Sequence, residues 1–480
     1  MGVVNRGTAS MHTNTVITES GVSFGTSGAR GLVTQFTPDV CAAFAVNFAH
    51  LLQQHGPVTA IGLGIDNRPS SYAMAQACAA ALQALDIEPQ YFGVLPTPAL
   101  ANYCMARGMG CIMVTGSHIP FDRNGLKFYR PDGEISKADE ILIVQGKQSV
   151  PQLHALPELA ERPDASQHYL ARYQNAFPAG FLAGKTIGIY QHSSAGRDLY
   201  GRLFEYFGAN TVALGRSDHF VPIDTEAVSQ QDRVQAIAWT KQYNLDALFS
   251  TDGDGDRPLL ADEHGDYFTG DVLGLLCSQY LAISHIAVPV SCTTALEKSG
   301  AFSTVLRTRI GSPYVIAALN DLPAPCAGFE ANGGYLLGSD LPKVTALPTR
   351  DAVLPALATL ALAAEQPLSS LRRNLPQRFT ASDRLQQFER SQSDALLTHF
   401  KSKPAALLQR LGYSQPAVEA ALQSLTLDET DGLRFTLPNQ DIVHLRPSGN
   451  APELRCYAES NTPEQANALV HQVLTGLVSG

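Results

Sequence analysis

The order of periodic segments constrains this chain more than any single motif. Residues 58–65 form a short β-rich run. The turn Asp66-Asn67-Arg68-Pro69-Ser70-Ser71 and an alanine-rich helical stretch at 72–85 follow it. Residues 91–95, 98–107 and 110–114 read as strand, helix and strand. This order predicts a mainly parallel sheet with helices on its faces. Several prolines and little periodicity at 150–165 predict a linker. A second round follows, with helices at 166–176, 196–207 and 229–243 and strands at 186–190, 211–214 and 246–249. The third begins at the turn Asp262-Glu263-His264-Gly265, with helices at 270–284, 314–319 and 352–364 and a strand at 285–290. From about residue 376 the pattern changes to polar helices and short strands (432–437, 441–446, 453–459), closing with a helix at 463–478. The expected fold class is α/β: three similar mixed α/β domains at 1–164, 165–262 and 263–372, and a smaller C-terminal α+β domain at 373–480.

Composition narrows the function. At roughly 100–200 residues per domain, 480 residues suit three or four cores. The formal net charge of −10 argues against sequence-independent nucleic-acid binding, which needs a basic surface. It leaves room for an anionic substrate in a local Arg/Lys pocket. Eight cysteines are scattered among apolar neighbours without a C-x-x-C pair, which predicts reduced core thiols. Residues 1–20 lack an apolar leader segment, and no apolar run approaches the ~18 residues of a membrane span. The expectation is a cytoplasmic enzyme with no membrane partner, a monomer or small homo-oligomer.

The sharpest chemical signal is Thr251-Asp252-Gly253-Asp254-Gly255-Asp256-Arg257, set after an apolar strand. Alternate carboxylates in a glycine-permitted turn can converge on one hard cation, Mg²⁺ or Ca²⁺. An EF-hand competes, because Asp252, Asp254, Asp256 and Glu263 fall at its liganding positions. However, Arg257 stands where its loop needs glycine, and Pro258 follows. A solvated acidic turn is the plainer alternative.

Four weaker signals accompany it. Thr115-Gly116-Ser117-His118-Ile119-Pro120 follows an apolar strand, and a serine at the carboxyl end of such a strand sits where α/β sheets place ligands. His118 and Lys127 are candidate proton carriers there. Arg446-Pro447-Ser448-Gly449-Asn450, with Arg455 beyond, can form a nest for a phosphate dianion. Phe24-Gly25-Thr26-Ser27-Gly28-Ala29-Arg30-Gly31 could bring Arg30 to a phosphate. In Gly328-Phe329-Glu330-Ala331-Asn332-Gly333-Gly334 a carboxylate and an amide can read sugar hydroxyls. Taken alone, the serine loop reads first as a plain turn, the Phe24–Gly31 segment as a flexible N-terminal loop, and the other two equally well as ordinary turns. Two further patterns are rejected. Gly21 to Gly25 mimics a hydrolase elbow without the strand–helix setting, and residues 180–186 mimic a P-loop but run into a strand.

Together, in this order, the five elements resemble the α-D-phosphohexomutase family, over nearly the whole chain. Asp66, Arg68, Ser70 and Ser71 match a family turn as well. The resemblance implies four domains around a central cleft. It implies that Ser117 is a phosphoserine whose oxygen completes an Mg²⁺ site made by Asp252, Asp254 and Asp256. Arg30 and Arg257 would lie near the transferred phosphoryl group, with His118 and Lys127 beside it. Gly328, Glu330 and Asn332 would face the sugar, while Arg446, Ser448, Gly449, Asn450 and Arg455 would hold the phosphate that does not react. The implied reaction moves a phosphoryl group between O6 and O1 of a hexose phosphate, with a hexose 1,6-bisphosphate as intermediate and activator.

Some positions depart from the family pattern. The serine loop usually reads Thr-Ala-Ser-His-Asn-Pro, so Gly116 and Ile119 are substitutions. The sugar loop often reads Gly-Glu-x-Ser-Gly-His. Here Phe329 precedes Glu330, Asn332 replaces Ser and Gly334 replaces His. Ser312 stands where relatives often carry His. Mannose phosphate is the expected substrate, with phosphoglucomutase or phosphoglucosamine mutase as alternatives. A sugar-phosphate phosphatase, a non-catalytic sugar-phosphate binder and a Ca²⁺-binding interaction protein are the readings from other classes.

Overall fold

The computed structural model describes residues 11–25, 28–448 and 452–478. Its strands fall into four sheets. In the first, Ala60–Ile65 pairs in parallel with Glu88–Val94 and Cys111–Val114, and Cys111–Val114 pairs antiparallel with Arg123–Arg130. In the second, Thr186–Tyr190 pairs in parallel with Asn210–Leu214 and Ala247–Thr251, which is antiparallel to Pro258–Ala261. In the third, His285–Pro289 pairs in parallel with Thr304–Thr308 and Cys326–Phe329, which is antiparallel to Tyr335–Leu337. The same order recurs in all three: second strand, first, third, then an antiparallel fourth.

This corrects the expectation of a mainly parallel first sheet. The eight-residue strand Arg123–Arg130 and the short strands Ala29–Leu32 and Gly133–Glu134 add antiparallel pairs, so the sheet is mixed. The hairpin partner Arg123–Arg130 was missed because its residues Arg123, Asn124, Lys127 and Arg130 break the apolar pattern. The fourth sheet is antiparallel throughout: Phe379–Gln386, Glu453–Ser460, Ile442–Pro447, Leu433–Thr436 and Thr426–Asp428.

One apolar core runs through the first three units, from Phe92 and Tyr103 through Phe204 and Phe249 to Phe329 and Leu357. The C-terminal unit has its own core around Phe400, Leu408, Phe435 and Leu445. In the second unit Trp239 packs edge-on against Tyr190, with centroids 5.0 Å apart. The last unit is tied to the third by Glu459. Its carboxylate accepts from Thr294 N (2.7 Å) and Thr294 Oγ1, and pairs with Arg378 Nε at 2.7 Å. All eight cysteines are buried and free of disulfides. Among the described residues no helix is long and apolar enough to cross a membrane.

Candidate active site

In each of the first three units, the turn between the third and fourth strands carries a sequence motif. The serine loop follows Cys111–Val114, the aspartate turn follows Ala247–Thr251, and the sugar loop follows Cys326–Phe329. The three loops therefore occupy equivalent places, at carboxyl ends of parallel strands.

Ser117 is buried and has φ 53°, a left-handed conformation that side chains other than glycine rarely adopt. Such a backbone persists only where its surroundings fix it. Ser117 N donates to Thr115 Oγ1 (2.8 Å), whose hydroxyl donates to Asp66 Oδ2 (2.8 Å). Asp66 Oδ1 accepts from Ser71 Oγ (2.6 Å) and Arg68 N (3.0 Å). Arg68 then gathers the loop: its Nη1 donates to Pro120 O and Arg123 O (both 2.8 Å), its Nη2 to Ser117 O (3.1 Å) and Ile119 O (2.5 Å). The guanidinium lies 3.8 Å from the Phe220 ring centroid. Gly116 is explained by the same contact, since a Cβ there would sit 2.5 Å from Arg68 Cζ. Ile119 takes part through its backbone, so the missing amide leaves the loop closed.

Ser117 Oγ donates to Asp252 Oδ2 at 2.8 Å. Asp252, Asp254 and Asp256 are buried, and one ligand atom from each lies within 4.8 Å of the others. Asp252 Oδ1 accepts from the backbone N of Asp256 and Arg257, both at 3.2 Å. Asp254 Oδ2 accepts from Lys127 Nζ (2.6 Å) and Thr97 Oγ1 (2.5 Å). Asp256 Oδ2 accepts from Lys127 Nζ (2.9 Å) and Arg350 Nε (3.0 Å). The second oxygens of Asp254 and Asp256 are buried without a hydrogen-bond partner. Buried carboxylate oxygens without donors are costly, and an all-oxygen set of this kind fits a hard divalent cation. Electrostatics agree. Burial raises the Asp252 carboxyl well above the usual range, and repulsion from Asp254 and Asp256 adds to it. Burial works on Asp254 and Asp256 in the same sense, but Lys127 at Asp254, and Arg350 followed by Lys127 at Asp256, overcome it and hold both below the usual range. A bound cation would remove the repulsion on Asp252.

The EF-hand reading fails here. Strands flank the turn, and Glu263 lies apart, accepting from Ser369 N at 3.2 Å.

Cations crowd the same space. Arg30, opposite Gly125 in the first sheet, is lowered to about 10 by burial and by repulsion from Arg257 and Arg350. His118 is lowered to about 3, first by burial and then by Arg257. It is therefore neutral, with Nδ1 3.1 Å from Arg257 Nη1 and 3.4 Å from Ser117 Oγ. Crowded, mutually repelling cations suit an anionic ligand. Lys127 differs from its expectation as a proton carrier. Burial lowers its pKa, but Asp254 and Asp256 overcome that and raise it, so the group is a fixed charge between two carboxylates.

In the sugar loop, Glu330 Oε2 lies 3.3 Å from Asn332 Nδ2 and 3.6 Å from Arg350 Nη1. Asn332 Oδ1 accepts from Gly334 N (3.0 Å), and its carbonyl accepts from Thr225 Oγ1 (2.7 Å), so Asn332 shapes the loop. Gly328 does not belong to this group. It lies in the strand, and a Cβ there would meet Val315 Cγ1 at 2.5 Å, so helix packing accounts for the glycine.

Arg446 and Arg455 are cross-strand partners in the last sheet. Arg446 Nε pairs with Asp431 Oδ2 at 2.9 Å, which also accepts from Ile310 N at 2.9 Å. Ser448 N donates to Glu453 O at 2.8 Å. Gly449 and Asn450, like Thr26 and Ser27, lie outside the described residues. Glu226 connects this side to the rest. Glu226 is an exposed residue, yet desolvation by the protein packed around its carboxyl and the charges of Asp224 and Glu330 push it up to about 7 against Arg257 and Arg455. Sequence reasoning missed Glu226, Thr97 and Arg350, because none belongs to a recognisable motif.

Comparison with known proteins defines the class. Sequence models of phosphoglucomutase/phosphomannomutase α/β/α domain I match residues 21–150, those of α/β/α domain III match 269–379, and those of the C-terminal domain match 402–476. The chain belongs to the phosphoglucomutase/phosphomannomutase family, the α-D-phosphohexomutases, and is a phosphosugar mutase. It is 54% identical over 475 residues to the phosphomannomutase of Salmonella muenchen, covering 98% of each chain. To the phosphomannomutase of Sinorhizobium fredii (strain NBRC 101917 / NGR234) it is 41% identical over 483 residues, covering 96% of this chain and 99% of the other. The fold matches a crystal structure of a phosphoglucomutase/phosphomannomutase family protein from Burkholderia thailandensis with TM-score 0.71 and 18% identity, over 95% of this chain and 97% of that one.

Proposed function

We propose that this chain interconverts mannose 6-phosphate and mannose 1-phosphate, with Ser117 as the phosphoryl carrier and a hexose 1,6-bisphosphate as intermediate and activator. The sugar follows the two relatives named phosphomannomutase. The observation that carries the mechanism is the 2.8 Å hydrogen bond from Ser117 Oγ to Asp252. It sets the nucleophilic hydroxyl directly on the carboxylate cluster.

Asp252, Asp254 and Asp256 would hold Mg²⁺, with an oxygen of phosphorylated Ser117. The ion would supply neutralisation of phosphoryl charge during transfer. The remaining work falls to the chain. Arg30 and Arg257 bind the transferring group, and Lys127 holds two of the aspartates in place. As the Oγ–phosphorus bond breaks, a bond forms to the free sugar hydroxyl; that hydroxyl's proton passes to neutral His118, which delivers it to the departing Ser117 Oγ, 3.4 Å from its Nδ1. The proton affinity of His118 rises once a phosphate dianion offsets Arg30 and Arg257. Glu330 and Asn332 face the sugar hydroxyls. Arg446, Ser448, Gly449, Asn450 and Arg455 hold the other phosphate, so the bisphosphate can turn and return its second phosphoryl group to Ser117. The units at 1–164, 165–262, 263–372 and 373–480 would each contribute one loop.

The test is phosphorus NMR with mannose 6-phosphate, catalytic hexose 1,6-bisphosphate and Mg²⁺. Mannose 1-phosphate should form without stoichiometric inorganic phosphate, and a chelator should stop it. Ser117→Ala should lose roughly 10³-fold or more in turnover and take up no phosphate by mass spectrometry. Full turnover by Ser117→Ala would refute the mechanism, and stoichiometric phosphate release would favour a phosphatase.

A further inference from the structure

We propose that Arg350 is a positioning residue that locks the metal-facing Asp256 to the sugar-facing Glu330, and that Gly334 lacks a side chain because Arg350 fills its space. Arg350 lies in the strand Leu347–Asp351 of the third sheet and is buried. Its Nε and Nη2 both lie 3.0 Å from Asp256 Oδ2 in the second unit. Its Nη1 donates to Ser312 Oγ at 3.2 Å and stands 3.6 Å from Glu330 Oε2. A planar guanidinium fixes the angle between such contacts, which a lysine cannot do. With Arg350 and Lys127 both on Oδ2, Asp256 has Oδ1 left to offer a cation; Oδ1 accepts no hydrogen bond and has only Arg257 Nε near it, at 3.7 Å. Partners behind a metal ligand tune its affinity in this way.

The strand cannot drift. Asp351 accepts from Tyr169 OH (2.7 Å) and Tyr173 OH, and Thr349 Oγ1 donates to Glu134 Oε1 (2.8 Å). The stem of Arg350 runs past Gly334, where an added Cβ would lie 2.6 Å from Cδ, 2.7 Å from Cγ and 2.8 Å from Cβ of the arginine. Gly334 is not at positive φ, so space, not backbone freedom, dictates the glycine. Ser312 is short enough to leave Nη1 its place beside Glu330.

The affinity arm of the test needs no turnover. Mg²⁺ binding to the whole chain is measured by calorimetry without substrate, for the native protein, Arg350→Lys, Gly334→Ala, Arg350→Ala and the Gly334→Ala/Arg350→Ala pair. Arg350→Lys keeps the charge and should weaken Mg²⁺ binding about 10-fold or more. Gly334→Ala should do the same by displacing the guanidinium, and should add nothing once Arg350 is alanine. Native-like affinity in Arg350→Lys, or fully additive losses in the pair, would overturn the proposal. If Arg350→Ala does not fold by circular dichroism, the two single variants decide alone. A purely structural role would lower the melting temperature of Arg350→Lys and leave the affinity of the folded protein unchanged. The second arm rests on the mutase reading: Arg350→Lys should raise KM for mannose 6-phosphate as well as lower kcat. An inactive native protein would sink that reading and leave the Mg²⁺ titration to judge Arg350.

Discussion

Arg68 shows how much one buried side chain can organise. Its two terminal nitrogens reach three carbonyls of the serine loop and that of Arg123 at the start of the next strand, and its Nε lies 3.3 Å from Asp66. Those bonds hold Ser117 in a backbone conformation it would not choose alone. Replacing Arg68 with Met should leave Asp66 buried without its cation and cost about 3 kcal/mol or more in chemical denaturation. The freed loop should also lose roughly 10²-fold in kcat, the scale of a ~1 Å misplacement of a reacting group. Unchanged turnover would mean that the Asp66–Thr115–Ser117 chain suffices.

At the scale of elements, the three loops after the third strands explain why so much was readable in the sequence. Each follows an apolar run buried along its whole length, Cys111–Val114, Ala247–Thr251 and Cys326–Phe329, so strand and loop announce each other. Readable too were the aspartate turn and most helices. The antiparallel fourth strands were harder, since Arg123–Arg130 carries Asn124 and Lys127 into the core as site residues and not as packing. Arg350 and Glu226 were invisible because their meaning comes from other units. The sequence departures at Gly116 and Gly334 became intelligible only once Arg68 and Arg350 were seen beside them.

The strand Ile442–Pro447 carries a pH response. His444 is buried, stacked on Tyr457, with Nε2 2.5 Å from Asp431 O and Nδ1 unpartnered. Burial holds it at about 4, and burial does the same for His192 in the second unit. The unfolded chain takes up these protons near pH 6.5 and the folded chain only near 4. Stability is therefore fully present above about pH 6.5 and falls as pH drops toward 4, by roughly 3 kcal/mol per histidine. Denaturation midpoints should fall across that window. His444→Gln should flatten part of the slope, and an unaltered slope would refute the assignment.

For the whole molecule, the division of the core matters most. One apolar core spans the first three units, beside a separate one in the first unit around Phe44, Phe48 and Leu63, whereas the core of the C-terminal unit joins neither and that unit leans on the Glu459 network. Glu459→Ala should take the nearest carboxylate from buried Arg378, leaving Asp441 at 4.0 Å, and cost about 3 kcal/mol. Its signature should be an early unfolding step confined to the C-terminal unit, seen by limited proteolysis. A single cooperative transition at the native midpoint would show that Glu459 does not govern the docking.

The chain has one tryptophan, and it stands in the second unit against Tyr190. Its ring also borders Gly215, where a Cβ would sit 2.8 Å from it, at the start of the segment that leads to Phe220, Asp224 and Glu226. The protein thus carries a built-in optical probe at a single address. Trp239 packs on a small core of the second unit with Leu214, Ile223 and Tyr267, so its emission reports that unit and the segment that reaches the site, and it is blind to the C-terminal unit. Intrinsic fluorescence and far-UV circular dichroism, recorded on one unlabelled sample, therefore separate events in the two bodies.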